Sequence, residues 1–276
     1  MTHAAVPARA QVPGPRRRGP LFAGIALAEW TKLRTLRSSY WTLLAAVIAM
    51  AGFGALLCAA YARHLTPASG AALDPAAYSE SGFFLAQLAI GVLGVLTVTG
   101  EYATGSIRST LTAAPQRVTV LAAKAAVFTG VAFLTGLAGS LAAFLFGQAV
   151  FAGKGIQEHL GGPGTLRPVA GAALYLAVLG LLALGLGALT RRTAGALSVL
   201  IAVLIFLPVS VGALPAAWQD HVNPYLPSAA GQALIGPTKF TPPGHLLSPW
   251  TGLAVLGGYT AAVLIAAAVT ISRRDA

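Results

Sequence analysis

Charge is what this chain has least of. Only 9% of its 276 residues are charged, 56% are hydrophobic, and the mean hydropathy is +0.75. A soluble domain carries charge on roughly a quarter of its residues, so an ordinary soluble fold is excluded. Acidic groups are scarcer still, seven against 18 basic ones, for a net charge of +11. The single cysteine, Cys58, rules out an intrachain disulfide. No G-x-x-x-x-G-K-[ST] loop is present to cradle ATP phosphates. An intramembrane G-x-S-x-G with a partner His, an H-E-x-x-H helix and paired intramembrane carboxylates are also missing. The expectation is a protein that is no enzyme, carries no cofactor of its own and draws any energy it uses from elsewhere.

What remains is long uncharged sequence. Six intervals reach about 20 residues or more, enough for one helix each across a hydrocarbon core roughly 30 Å thick. The predicted spans are Trp41 to Tyr61, Phe83 to Thr99, Ala125 to Phe151, Val169 to Thr190, Ala194 to Leu214 and Trp250 to Ile271. None of these contains Asp, Glu, Lys, Arg or His, the groups that ion- or proton-driven carriers need at mid-membrane. Gln87, Gln148, Thr97 and Thr135 are read as satisfying helix contacts. Gly136 and Ser140 form a small-xxx-small pair, read as packing within the membrane rather than as a dimer motif.

Placing both termini on one side puts 14 basic and three acidic residues there, against four of each on the other. This obeys the positive-inside tendency, makes that side cytoplasmic, and explains the basic balance without nucleic acid. His64, His159, His221 and His245 fall outside with no fixed spacing, and are read as loop residues rather than a metal site.

Residues 1–20, rich in Pro, Gly and Arg, read as a disordered basic tail. A secretion signal competes, with Arg16 to Arg18 and the run Leu21 to Ala28 as its first regions. Lys32, Arg34 and Arg37 would then have to cross the membrane, which opposes it. Residues 21–38 read better as an amphipathic helix lying on the inner surface. Leu21, Phe22, Ile25, Ala26, Leu33 and Leu36 share one arc, with Trp30 at its edge, and Thr31, Arg34 and Thr35 face away. Glu29 breaks the arc, either pairing with Lys32 at i, i+3 or contacting a partner protein. Residues 39–276 form the six-span unit.

The stretch Glu101 to Lys124 is a polar island between the second and third spans. Its segment Thr104 to Ala113 is expected to form a short helix on the membrane surface, ended by Pro115, with Arg108 and Arg117 pointing into the cytoplasm. Such a lever lets a soluble partner tilt two spans together; a plain basic turn that fixes topology is the competing reading. Residues 215–249 hold Pro215, Pro224, Pro227, Pro237, Pro242, Pro243 and Pro249, too broken for a span and too apolar for a solvated linker. A short helix within Leu226 to Gly236 is expected to dip into the membrane or cap an outer vestibule.

Five patterns carry a resemblance. They are Ala28-Glu29-Trp30-Thr31-Lys32-Leu33-Arg34; Glu101-Tyr102-x-x-Gly105-Ser106-x-Arg108-x-x-Leu111 with Pro115, Arg117 and Lys124; Leu189-Thr190-Arg191-x-Thr193-Ala194-Gly195; Leu226-Pro227-Ser228-x-Ala230-Gly231; and Arg273-Arg274-Asp275. In this order on six spans, from Gly19 to the C-terminus, the chain resembles ABC-2 type permeases of bacterial ABC transporters. The resemblance implies an all-α, type V exporter-like permease in the bacterial cytoplasmic membrane, which dimerises and binds an ATPase subunit carrying the ATP and magnesium. It implies ATPase-coupling roles for Glu29, Trp30, Lys32, Arg34, Glu101, Tyr102, Gly105, Ser106, Arg108 and Arg117. It also implies an outer gate at Leu226, Pro227, Ser228 and Gly231. A self-contained channel and a membrane scaffold without cargo are the other classes open to such a sequence.

Overall fold

The computed structural model describes residues 21–64, 74–107, 116–241 and 246–273. The basic tail, Arg108, Leu111 to Pro115, Arg274 and Asp275 lie outside them. All regular structure among the described residues is helical. Helix α1 is Leu21–Thr35 and α2 is Arg37–Ala62. Between them Leu36 takes an extended conformation, φ −76° and ψ 113°, and its carbonyl accepts from the Ser39 and Tyr40 amides. Helix α1 therefore stops short of the predicted Ser38, because the chain turns there into α2.

After α3 (Pro75–Ser79), begun by Asp74 accepting from the Ala77 amide at 2.8 Å, a 3-10 turn leads into α4, Phe83–Thr104. Helix α5 is Arg117–Ala152, 36 residues and roughly 54 Å long, well beyond the thickness of a bilayer core. Helix α6 is Leu166–Thr190 and α7 is Thr193–Ile201. A π-helical stretch, Ala202–Phe206, joins α7 to α8, Leu207–Gly212. Pro208 accounts for it: the ring cannot sit over a regular i−4 carbonyl, and a widened turn accommodates it. Helices α9 (Ala216–Val222) and α10 (Pro227–Gln232) precede α11, Pro249–Arg273. Among the described residues, six helical segments are long and apolar enough to cross a membrane, as in a multi-pass membrane protein.

Helix α6 is the hub. In its most apolar window 78% is buried, against 22% for both the α7–α8 segment and α11. It packs against α4, α5 and α11, while α2 packs against α4 and α5. Small residues let α5 and α6 approach: Gly136 lies against the Ala173 backbone, and the Ser140 hydroxyl donates to the Val169 carbonyl at 3.0 Å. That small-residue pair works inside the chain. Two buried amides are paired as well, Gln87 accepting from the Tyr175 hydroxyl at 2.5 Å and Gln148 donating to the Pro75 carbonyl at 3.1 Å.

Between α9 and α11, residues 223–241 are folded onto this bundle rather than spanning it. Helix α10 packs against α6 and α11. Phe240 stacks on Phe84, centroids 4.3 Å apart, and the Lys239 amide donates to the Ser81 hydroxyl at 3.2 Å. Glu80, one of the four acidic residues that the charge count places on the outer side, is fully buried in the 3-10 turn, and neither of its carboxylate oxygens has a partner among the described residues.

Candidate functional site: a charge cluster at the basic end of the bundle

Three helices bring charges of opposite sign to one point. Glu29 comes from α1, Glu101 from the last turn of α4, and Lys124 from the third turn of α5. Lys124 Nζ donates to Glu29 Oε2 at 2.5 Å, to Glu101 Oε1 at 2.9 Å and to the Thr97 carbonyl at 3.4 Å. Lys32 Nζ donates to Glu29 Oε1 at 2.8 Å and to Glu101 Oε1 at 2.7 Å. The Lys124 and Glu29 side chains are 4% and 3% exposed. At that burial each charge depends on the others, since the desolvation penalty of either alone is several kcal/mol. Burial lowers the Lys32 pKa, but its hydrogen bonds to Glu101 and Glu29 outweigh this and leave it above the ordinary lysine value.

The cluster corrects two sequence expectations. Glu101 to Lys124 is not all loop: Glu101 to Thr104 belong to α4, and Arg117 to Lys124 are the first turns of α5. Charge also enters the helices themselves, because α4 and α5 continue past the apolar runs that delimited the predicted spans. The expected helix from Thr104 is interrupted at once, since Thr104 ends α4 and Gly105 adopts φ 71°, a left-handed cap that favours glycine. Only Ser106 and Ile107 of the remainder are described, and both are helical.

Of the other candidate residues, Trp30, Arg34, Gly105 and Ser106 are exposed on the same end of the molecule. Arg117 does not simply point into solvent: its Nη1 donates to the Ile271 carbonyl at 3.1 Å. Arg191, in a left-handed conformation at φ 57°, donates from Nη2 to the Thr270 carbonyl at 3.4 Å, and its guanidinium lies 5.4 Å from the Tyr102 ring centroid. Two arginines thus hold the last carbonyls of α11, where a helix end favours cations. Arg191 and Lys124 were quoted only as parts of motifs. Their partners lie far along the chain, and no local spacing announces them.

At the opposite end, Leu226, Pro227, Ser228 and Gly231 are buried beneath α6 and α11. A methyl group at Gly231 would overlap the Tyr175 ring, so only glycine lets α10 lie this close to α6.

A comparison with curated proteins finds no match. The family model described as ABC-2 family transporter protein matches residues 25–210, from within α1 to the end of the fifth span, about two thirds of the chain. With an all-helical bundle of six candidate spans, this chain belongs to the ABC-2 family of transporter proteins.

Proposed function

We propose that the chain is the membrane-spanning permease subunit of an ATP-binding-cassette exporter. It moves a substrate out across the bacterial cytoplasmic membrane, with ATP and magnesium bound by a separate ATPase subunit. The charge cluster is the observation that carries this reading. Because Lys124 joins α1, α4 and α5, a force on the surface helix or on the loop after Gly105 reaches two spans at once. Trp30, Arg34, Gly105 and Ser106 supply the exposed docking face, with Arg108 beyond it in sequence, and Glu29, Lys32, Glu101 and Lys124 transmit. Tyr102, Arg117 and Arg191 extend the connection to the last span. The charge distribution supports cytoplasmic termini, and family membership supports an ATPase partner and a second permease copy. Nothing of this arrangement calls for an enzymatic group on the chain itself.

Glu101→Gln keeps the shape of the side chain and removes its charge. In proteoliposomes containing the permease and its ATPase, this variant should hydrolyse ATP while transport falls, with membrane insertion unchanged. Unaltered transport per ATP hydrolysed would remove the cluster from the coupling path.

A further inference from the structure

A cavity of about 540 Å³ opens between α1, α2 and α4, beside the charge cluster. One wall is apolar, formed by Leu33, Leu36, Leu93 and Leu96; the other presents Lys32 and the Ser38 and Ser39 hydroxyls. The volume suits an organic ligand rather than a few waters. Its hydrogen-bonding capacity is one-sided. Glu29 spends both carboxylate oxygens on lysines, and Glu101 Oε1 accepts from two ammonium groups. Glu101 Oε2 has no partner among the described residues but is sealed from solvent. Lys124 uses all three of its hydrogens.

Donors are what remain. Lys32, 40% exposed, makes two hydrogen bonds and keeps a third N–H. Ser39 is 3% exposed, and its hydroxyl donates to nothing among the described residues. A ligand entering here meets unspent donors and an apolar wall. An anionic oxygen head on an apolar tail answers both, and charge-assisted hydrogen bonds from an ammonium and hydroxyls are the ones such a head makes.

We propose that this cavity binds the phosphodiester head of an amphiphile, with the acyl chain against Leu36, Leu93 and Leu96. Phosphate oxygens accept from Lys32 Nζ and from the Ser39 hydroxyl, and Arg34 and Arg37, both exposed on the adjoining turns, favour a net negative head. The site rests on the reading above only for whether its occupant is cargo; as a binding site it stands independently.

The test is native mass spectrometry of the purified full chain, titrated with phosphatidylglycerol or with chain-matched diacylglycerol, which lacks the phosphate. Phosphatidylglycerol should be retained and diacylglycerol lost. Ser39→Ala, which changes little volume, should weaken retention several-fold, and Lys32→Gln about tenfold. Leu96→Trp, which fills the cavity from the apolar side, should abolish it. Equal retention of the two lipids, or retention indifferent to Ser39→Ala and Leu96→Trp, would overturn the site. The two sources of such a head separate in proteoliposomes with the ATPase: ATP-driven translocation of head-labelled lipid, lost in Ser39→Ala, makes it cargo. Retention through turnover without translocation makes it a resident membrane lipid, and both results uphold the site. A permease that shows no coupling to any ATPase would sink the transport reading while leaving lipid retention as measured.

Discussion

Lys124 is the residue with the most to lose. It is 4% exposed and, among the described residues, is the sole cation that Glu29 and Glu101 share besides the half-exposed Lys32. Removing one member of a buried charge set leaves its partners charged in a poorly solvating place, at a cost of about 3–5 kcal/mol. Lys124→Met should therefore lower thermal stability in detergent by that order, and adding Glu29→Gln should restore part of the loss. Additive losses in the double variant would mean that the two side chains are not coupled. From sequence, Glu29 offered a local partner, Lys32, and that pair exists at 2.8 Å. Its second partner, 95 positions away, was beyond any periodicity argument. The same holds for Glu80: Asp74 and Pro75 are a local signal for a helix start, but nothing local shows that the turn after this helix carries the carboxylate into the bundle.

At the scale of elements, the apolar runs were legible because a 20-residue uncharged stretch has few other uses. Helix ends were not, because a helix continues through polar residues wherever tertiary contacts satisfy them. Lys124 and Glu101 are such residues. Helix α10 shows the converse. Its prolines and glycines marked a break, and the break is real, but they also allow close packing of irregular backbone against the spans. Gly231→Ala must displace the Tyr175 ring or lift α10, an overpacking cost of about 1–3 kcal/mol. It should reduce thermal stability and increase proteolysis between α8 and α11, whereas Gly130→Ala, with open space around it, should do neither. Equal behaviour of the two variants would show that α10 is not held as described.

Across the whole molecule, one end is held by aromatic and amide packing and the other by charges that link α1 to the second and third spans, with arginines closing on the last. Composition alone pointed to a membrane protein, and the order of short motifs pointed to its family. The mechanical connection between them had to come from the structure. The central claim is that this connection serves an external ATPase. It is tested most directly by purifying the tagged chain from native membranes in mild detergent and measuring what co-purifies and whether it hydrolyses ATP. The account predicts a stoichiometric P-loop ATPase whose release accompanies disruption of the exposed face at Trp30, Arg34 and Ser106. A chain that purifies alone and passes solute through liposomes without nucleotide would contradict it.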